Sequence, residues 1–550
     1  MPRWPDRYPA GAPDALSQSS TLRTLVDRNV NPSAPSPVET AGEPRAHEET
    51  ASRAARWAKV IDHSRCIGCH ACTTACKSEN EVPLGVTRTY VKYVDAGHFP
   101  RTRRAFQVTR CNQCEDAPCV TACPTSAMYR RSDGIVDFDK EACIGCKACI
   151  AACPYDAIFI NPEDHSAEKC NFCAHRLDIG LEPACVVVCP TEAILVGDLN
   201  DPLAKVTQMV HEDALTVRRP EKETRPKLFY KDARQATLDP LAAARPEGGL
   251  FMWSEQGSGA DQVTSGHPGP GNSSAAAILS YDVPHSAPWD ARVSLYTWTK
   301  SIAAGAYLAP LLLILFGALS WTDPLWLFGA PLLAMAFLAV TTGLLIWDLE
   351  HPWRFHYILL RPQWRSWLVR GGFVLAGFGA VLAAHLAAAW AGAPDVVRVL
   401  ALAGVPLAAM TAVYTAYLFA QAKARDLWQN PLLPPHFLVQ ALLAGAAAVH
   451  PLAAPGVRPL LEGGFAALTA AHLLLVLGEI TITHGTAHAH LAVRELTRGR
   501  FAAWFRAGVL LSAVGLAAPW IGLPALLAGL LGLLAYEHAY VQAGQAVPLS

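Results

Sequence analysis

The sixteen cysteines of this 550-residue chain all lie between Cys66 and Cys189, in four groups of four. The first and third groups have the spacing C-x2-C-x2-C-x3-C, which is typical of bacterial runs that bind 4Fe–4S clusters. Three thiolates in such a run can hold one face of a cubane, and the fourth reaches a second cluster. Four ligands per cluster therefore predict four 4Fe–4S clusters. The groups are Cys66, Cys69, Cys72 and Cys76; Cys111, Cys114, Cys119 and Cys123; Cys143, Cys146, Cys149 and Cys153; and Cys170, Cys173, Cys185 and Cys189.

Two other uses of cysteine fit this pattern less well. Disulfide frameworks are typical of short secreted chains, and zinc ribbons use paired C-x2-C knuckles rather than a tight triplet with a fourth cysteine. Proline follows the last cysteine in three groups, at Pro124, Pro154 and Pro190, as iron–sulfur runs prefer. The pattern favours iron–sulfur ligation and a role in electron transfer.

The chain changes character near residue 290, from a polar part rich in Cys, Pro and charge to a part dominated by Ala, Leu, Val and Gly. The formal net charge of −1 argues against a nucleic-acid partner. No apolar signal segment follows Met1 and no arginine pair precedes an apolar run, so we expect no export signal. We expect a disordered leader over 1–55, a cluster-binding domain over 56–235, a Gly/Pro/Ser-rich linker over 236–290 and a membrane domain over 291–545.

The cysteine-rich part contains an internal repeat. Groups one and three read Cys-Ile-Gly-Cys-His-Ala-Cys and Cys-Ile-Gly-Cys-Lys-Ala-Cys, and groups two and four both begin Cys-Asn-x-Cys and end Val-x-x-Cys-Pro. Short β-like runs over 134–138 and 157–160 flank the motifs, and short helices are expected inside them. The pattern predicts an α+β ferredoxin-like fold that takes much of its stability from bound metal.

Residues 57–235 resemble the four-cluster iron–sulfur subunit of the dimethyl sulfoxide reductase and polysulfide reductase group of molybdenum enzymes. The runs Ala-Cys-Lys-Ser-Glu-Asn from Ala75 and Cys-Pro-Thr-Ser-Ala from Cys123 are typical of that family. The resemblance implies that motif one pairs with motif four and motif two with motif three. The implied ligand sets are Cys66, Cys69, Cys72 with Cys189; Cys170, Cys173, Cys185 with Cys76; Cys111, Cys114, Cys119 with Cys153; and Cys143, Cys146, Cys149 with Cys123.

Eight apolar runs after residue 290 are long enough, at about 18–25 residues, to cross a bilayer. A soluble helix bundle is excluded because such runs would leave almost no water-facing surface. We expect an all-α polytopic membrane domain of about eight helices; the fifth and seventh runs are short, so seven is also possible. The runs are 295–319, 325–347, 369–391, 397–420, 436–452, 463–483, 503–520 and 522–541.

A motif after the second apolar run gives the membrane part a second resemblance. The run from Trp347 to Phe355 reads Trp-Asp-Leu-Glu-His-Pro-Trp-Arg-Phe and resembles the Asp-Leu-x-x-Pro-x-Arg-Phe signature of the polysulfide reductase (NrfD-like) membrane-anchor family. That resemblance implies two four-helix bundles without haem. It also implies electron exchange with a quinone, either menaquinone or ubiquinone.

Ionisable residues in or beside the apolar runs are candidates for a quinone site, because charges at that depth are expensive and usually functional. Lys300 and Asp348 lie near helix ends, so an interfacial snorkelling role is the alternative. His472 and Glu479 are seven residues apart, hence on one helix face, and are the next candidates. The predicted quinone-binding residues are Tyr296, Lys300, Asp348, Glu350, Arg354 and His356.

Basic residues predict the orientation of the membrane part. If the first helix begins on the side of the cluster domain, loops on that side hold ten arginines and lysines, whereas the opposite loops hold little beyond Arg398 and Arg458. The positive-inside rule then places the cluster domain on the cytoplasmic face of the inner membrane. Relatives that face the periplasm, and basic loops that dock the cluster domain, are the competing interpretations.

Together these patterns predict a fusion of an electron-transfer subunit with a membrane anchor. We expect it to relay electrons between a separate molybdopterin-containing catalytic subunit and the quinone pool, with the substrate-converting centre outside this chain. The alternatives are a redox-driven ion-translocating module and a passive anchor for a soluble relay. The substrate of the partner and the direction of electron flow do not follow from the sequence.

Overall fold

The computed structural model describes residues 54–96, 103–243 and 277–550. The predicted leader, apart from its last two residues, and most of the predicted linker lie outside the described residues. The strands are β1 Trp57–Asp62, β2 Thr89–Ala96, β3 Arg103–Arg110, β4 Met128–Arg130, β5 Val136–Phe138, β6 Ile158–Ile160, β7 Ala167–Lys169, β8 Ile194–Asp198, β9 Leu215–Thr216, β10 Leu228–Lys231 and β11 Ile278–Tyr281. Seven short helices accompany them: α1 Ala71–Glu79, α2 Pro118–Ala122, α3 Ala148–Ala152, α4 Ala174–Leu177, α5 Ala184–Val187, α6 Lys205–Glu212 and α7 Gln235–Leu238.

The cysteine-rich part is an α+β structure built on small sheets. A four-stranded sheet has the order β8-β1-β10-β9, in which β1 pairs parallel with β10 and antiparallel with β8. A three-stranded sheet has the order β11-β2-β3, and β4-β5 and β6-β7 form two antiparallel pairs. Val60 and Ile61 on β1 are fully buried. This arrangement confirms the predicted fold class for this part of the protein.

The internal repeat of the sequence is also a repeat of backbone geometry. Gly68 and Gly145 both have φ +69°, a left-handed conformation that side chains other than hydrogen adopt poorly. His70 and Lys147, which precede α1 and α3, have φ 59° and 61°. Gly145 also packs against Glu350, whose Cβ would lie 2.4 Å from an added Cβ. The glycine at this turn therefore allows the membrane loop that carries Glu350 to approach closely.

The part beyond residue 290 is all-helical and makes this a multi-pass membrane protein. Among the described residues, seven helices are long and apolar enough to span a membrane, namely α8, α9 with the turn before it, α11, α12, α13, α14 and α18, and α16 is a shorter apolar helix. The expected number of about eight is confirmed. The helices are α8 Ala291–Leu315, α9 Ala330–Trp347, α10 Tyr357–Leu360, α11 Trp367–Trp390, α12 Pro394–Gln421, α13 Leu433–Val449, α14 Arg458–Thr481, α15 Ala487–Thr497, α16 Ala502–Gly515, α17 Ala518–Ile521 and α18 Leu523–Ala546.

The seven spanning helices and α16 pack as two four-helix bundles. One contains α8, α9, α11 and α12, and the other contains α13, α14, α16 and α18. The bundles meet where α8 crosses α13: a Cβ added to Gly305 would lie 1.7 Å from the Ala441 carbonyl oxygen, and Gly445 faces the same contact. Small residues allow such close crossings in membranes, where apolar side chains gain little by leaving lipid. Helix α8 thus contributes side chains to both bundles.

Candidate functional site

The structure gathers the sixteen thiols into four sets, each made from two cysteine groups. Cys189 of group four lines one pocket together with three thiols of group one. Cys123 of group two lines another pocket together with three thiols of group three. These are the sets that the family resemblance implies; ligation of four clusters by them stays a prediction. The sets are Cys66, Cys69, Cys72, Cys189; Cys76, Cys170, Cys173, Cys185; Cys111, Cys114, Cys119, Cys153; and Cys123, Cys143, Cys146, Cys149.

The surroundings of these thiols fit iron–sulfur ligands. Backbone N–H groups donate to sulfur, from Ala193 to Cys189 Sγ at 3.2 Å and from Met128 to Cys123 Sγ at 3.3 Å. Such donors stabilise thiolates and tune cluster potentials. Among the described residues, no group of three or more His, Cys, Asp or Glu side chains converges closely enough for a single metal ion.

One thiol set lies beside two buried cations. The Arg110 guanidinium donates to Cys185 Sγ at 2.9 Å, and Lys59 Nζ donates to the same sulfur at 3.7 Å. Burial raises the pKa of the Cys185 thiol, but the two charges outweigh burial and bring that pKa to about 7. A cluster held by this set would therefore accept an electron more readily than it would without the cations.

Replacement of Arg110 tests this electrostatic effect. We expect Arg110→Gln to lower the midpoint potential of one cluster by about 60–130 mV, because a hydrogen bond to a charged group contributes about 1.5–3 kcal/mol. The measurement is a redox titration followed by electron paramagnetic resonance. Arg110→Lys should recover part of the shift, and Arg65→Gln, at an exposed side chain, should cause none. Unchanged midpoints in Arg110→Gln would contradict the prediction.

The thiol sets extend from a water-facing surface to the membrane part. Cys69 is exposed, and so are its neighbour Ile67 and the side chain of Val187. At the other extreme, Cys146 lines a cavity among the membrane helices, and its carbonyl accepts a hydrogen bond from Trp289 Nε1 at 3.2 Å. The protein can therefore hold redox centres at both boundaries.

The cavity beside Cys146 has a volume of about 630 Å³ and lies among α8, α9, α11, α12 and the loop after α9. Its walls are mainly apolar, with leucines at Leu338, Leu345 and Leu375. Volumes of about 300–1,000 Å³ with a few convergent polar groups are typical of small-molecule sites. The polar groups here come from Tyr296, Thr342, Asp348 and Tyr414.

Four of the six predicted quinone residues lie at or next to this cavity. Tyr296 and Asp348 line it. Glu350 and Arg354 lie in the same loop but turn toward the cysteine-rich part. There Arg354 Nη1 donates to the backbone carbonyls of Lys140 at 2.9 Å and Cys143 at 2.8 Å. The structure thus separates residues that face the cavity from residues that dock the two parts of the protein.

The other two predicted residues also lie near the cavity without facing it. Lys300 is fully buried one helical turn beyond Tyr296, and its ammonium donates to the Ala412 carbonyl at 2.7 Å and to Thr415 Oγ1 at 3.0 Å. His356 is exposed within the loop after α9. Neither residue is among those that line the cavity.

Sequence reasoning missed the cations that surround Asp348. Lys147 Nζ lies 3.8 Å from Asp348 Oδ1 and 2.9 Å from Glu350 Oε1, and Arg292 Nε lies 3.6 Å from Asp348 Oδ1. The internal repeat could have indicated Lys147, because this lysine occupies the position that His70 has in the other copy. A cation within cysteine group three thus contacts the carboxylates of the membrane loop.

A second polar cluster lies inside the other bundle. His436 on α13 bridges Glu479 and His472 of α14, at 2.9 Å and 2.8 Å. Tyr536 on α18 donates to Glu479, and Gln440 contacts His436 at 3.2 Å. The predicted shared face of His472 and Glu479 thus meets a histidine that the sequence did not indicate. We call these five residues the α13–α14 network.

Four thiol sets joined to two apolar helix bundles define a membrane-bound iron–sulfur protein. Models of a 4Fe-4S binding domain and a 4Fe-4S dicluster domain match residues 63–84 and 102–199, and the model "Polysulphide reductase, NrfD" matches residues 281–528.

Curated relatives match the cysteine-rich part. A subunit of the tetrathionate reductase of Salmonella typhimurium is 42% identical over 217 residues, which are 38% of this chain and 84% of the relative. A component of the polysulfide reductase of Wolinella succinogenes is 42% identical over 189 residues (34% and 99%). Protein NrfC of Escherichia coli K12 is 42% identical over 177 residues (32% and 79%). The protein belongs to this family of iron–sulfur electron-transfer subunits of reductase complexes, and its C-terminal half is an NrfD domain.

Proposed function

We propose that the protein relays electrons between a separate molybdopterin-containing catalytic subunit and quinone in the membrane. The four thiol sets would hold four 4Fe–4S clusters, which supply one-electron transfer when bound. The observation that carries the proposal is the position of Cys146, a member of one thiol set, in the wall of the large apolar cavity. A quinone ring in this cavity would lie next to a redox centre.

The cavity also has the groups that quinone chemistry requires. Reduction of a quinone takes up two protons and oxidation of a quinol releases them, so a titratable group near the carbonyls is needed. Asp348 supplies a carboxyl group and Tyr296 a hydroxyl group within an otherwise apolar wall. We assign these two residues to the quinone and Arg354 to docking.

The exposed end of the relay suits a protein partner. Cys69 is exposed together with the apolar side chains of Ile67 and Val187, which are 56% and 59% exposed. Apolar side chains around a redox centre at the surface are expected where another electron-transfer subunit docks. The relatives are named as parts of tetrathionate and polysulfide reductases, which supports a catalytic partner at this end.

Photoaffinity labelling tests the quinone site. A photoreactive quinone should label peptides of α9 and the loop that follows it, and excess unmodified quinone should suppress the labelling. Labelling confined to α14 and α18 would move the site into the other bundle. Labelling that excess quinone does not suppress would favour a passive anchor without a quinone site.

We further propose that the cysteine-rich part faces the cytoplasm, because basic residues concentrate in the loops on its side. The expected result is that a reporter fused after Ser550 is active only if the reporter works in the cytoplasm. Reporter activity in the periplasm would indicate instead that the basic loops serve to dock the cysteine-rich part, as Arg354 does.

The α13–α14 network favours a second candidate function, redox-driven ion translocation. His436, His472 and Glu479 are buried at hydrogen-bond distance inside the membrane part, where connected acid–base groups commonly move protons. A network that only stabilised the bundle would not exchange protons with quinone turnover.

Glu479→Gln separates the two functions. In proteoliposomes with reduced viologen as donor, we expect this variant to keep quinone reduction but to lose proton movement across the membrane, because the amide cannot carry a proton. An entrapped pH dye measures the movement. His385→Gln, at a buried histidine of the first bundle, is the control. If the unsubstituted protein moves no protons beyond those that quinone consumes, the second function is wrong.

A further inference from the structure

A second cavity, of about 510 Å³, adjoins the region that holds Asp348. It lies between the cysteine-rich part and the segment before α8, and exposed residues such as Gly85 and Ser286 lie at its edge. Its walls are about equally polar and apolar, which makes it far more polar than the cavity beside Cys146. We call it the polar cleft. The charged or titratable residues that line it are Tyr90, Lys147, Asp156, His285, Asp290 and Glu350.

The polar cleft and the apolar cavity meet at one ion cluster. Lys147 and Glu350 line the cleft, whereas Asp348 lines the apolar cavity. The Lys147 ammonium lies 2.9 Å from Glu350 Oε1 and 3.8 Å from Asp348 Oδ1, so one cation contacts both carboxylates and holds them on the two sides of the boundary. The Glu350 side chain is 28% exposed, whereas that of Asp348 is 10% exposed.

Asp348 also has spare hydrogen-bonding capacity. Its Oδ1 atom is buried, and no hydrogen-bond partner lies within reach among the described residues. Buried polar atoms are nearly always satisfied by protein or ordered water. The unsatisfied oxygen therefore indicates a water or a ligand group at the boundary between cleft and cavity.

We propose that Glu350 and Asp348 form a proton path from water in the polar cleft to a quinone in the apolar cavity, with Lys147 as a fixed charge that holds both carboxylates. This inference rests on the proposed quinone reaction. Each reduced quinone takes two electrons from the clusters and two protons that enter through Glu350; quinol oxidation sends the same protons outward. The apolar walls of the cavity otherwise offer few proton donors, so a path of this kind is required.

Charged and titratable groups from several elements face the two carboxylates of the path. Asp348 faces Lys147, Arg292 and Asp290 as well as Glu350, and Glu350 also faces His165 at 3.6 Å. The competing interpretation is that Glu350 only clamps the loop to Lys147. Glu350→Gln separates the two, because the amide oxygen can still accept from Lys147 but the amide cannot release a proton.

The experiment measures reduction of a short-chain quinone by the full-length protein in lipid nanodiscs, with reduced viologen as donor. We expect Glu350→Gln to slow the reaction by about 10²-fold at alkaline pH, to increase its solvent isotope effect and to respond to added imidazole, a small diffusible acid. Glu350→Asp should recover most of the rate. Cluster spectra and quinone-analogue affinity should be unchanged, because the clamp remains.

Three outcomes overturn the inference. If Glu350→Gln keeps the rate and pH profile of the unsubstituted protein, Glu350 is a clamp only. If its loss of rate comes with weaker quinone-analogue binding and no response to imidazole, the effect is structural. If the unsubstituted protein reduces no quinone at all, the proposed function fails together with the path.

Discussion

Cys146→Ser is expected to abolish quinone reduction and to leave the other three thiol sets able to hold iron. Cys146 is the cysteine that lines the apolar cavity, so its set is the redox centre next to the proposed quinone. Iron analysis should fall from about sixteen to about twelve atoms per molecule, because one cubane loses a ligand. Quinone reduction with reduced viologen as donor measures the effect on electron transfer.

Cys69→Ser is the matched control. Cys69 is exposed and belongs to the set farthest from the apolar cavity. Its loss should also remove one cluster, but a small donor can still reduce the sets nearer the membrane. We therefore expect this variant to keep quinone reduction and to lose electron exchange with the catalytic partner. If Cys146→Ser still reduces quinone, the thiol set that contains Cys146 does not lie on the electron pathway. Iron near eight atoms per molecule in the reconstituted parent would contradict four clusters.

Asp348→Asn is expected to slow quinone turnover by about 10²–10⁴-fold, the range for loss of a general acid or base. Burial raises the pKa of Asp348 to about 6, while Lys147 and Arg292 counteract burial. The carboxyl group is protonated below that pH and ionised above it. Quinone reduction, which needs the acid, should therefore fall as pH rises through about 6, and quinol oxidation, which needs the base, should rise.

The asparagine variant should lose this pH step in both directions, because its amide does not titrate. The measurement is the rate of each reaction in nanodiscs between about pH 5 and pH 8, in variants that keep all clusters. Asp395→Asn, at an exposed carboxylate near the opposite helix ends, is the control and should match the parent. If Asp348→Asn has an unchanged pH profile and inhibitor affinity, quinone binds elsewhere, and the α13–α14 network is the next candidate site.

Local patterns in the sequence predicted the features that depend on local geometry. The cysteine spacing predicted four groups, and the lengths of the apolar runs predicted about eight helices, because both depend on neighbours along one segment. The close crossing at Gly305 could not be predicted, because a glycine in an apolar run does not indicate which helix it meets. Its partner, Gly445, is 140 residues away in the sequence.

The candidate site was predicted only in part, for the same reason. Tyr296 and Lys300 are one helical turn apart, so the sequence placed them together; in the structure Tyr296 lines the cavity, whereas the Lys300 ammonium bonds to α12 behind the cavity wall. Lys147 lies far from Asp348 in the sequence, and their contact depends on how the two parts dock. Likewise the common face of His472 and Glu479 followed from helical periodicity, but their partner on α13 did not.

The most direct test of the central claim is the reoxidation of reduced clusters by quinone. The full-length protein in lipid nanodiscs is reduced with dithionite, freed of reductant without oxygen, and mixed with a menaquinone or ubiquinone analogue while the visible cluster absorbance is followed. We expect rapid reoxidation, which both Cys146→Ser and Asp348→Asn should slow. Clusters that stay reduced with either quinone, yet are oxidised at once by a soluble one-electron acceptor, would contradict it.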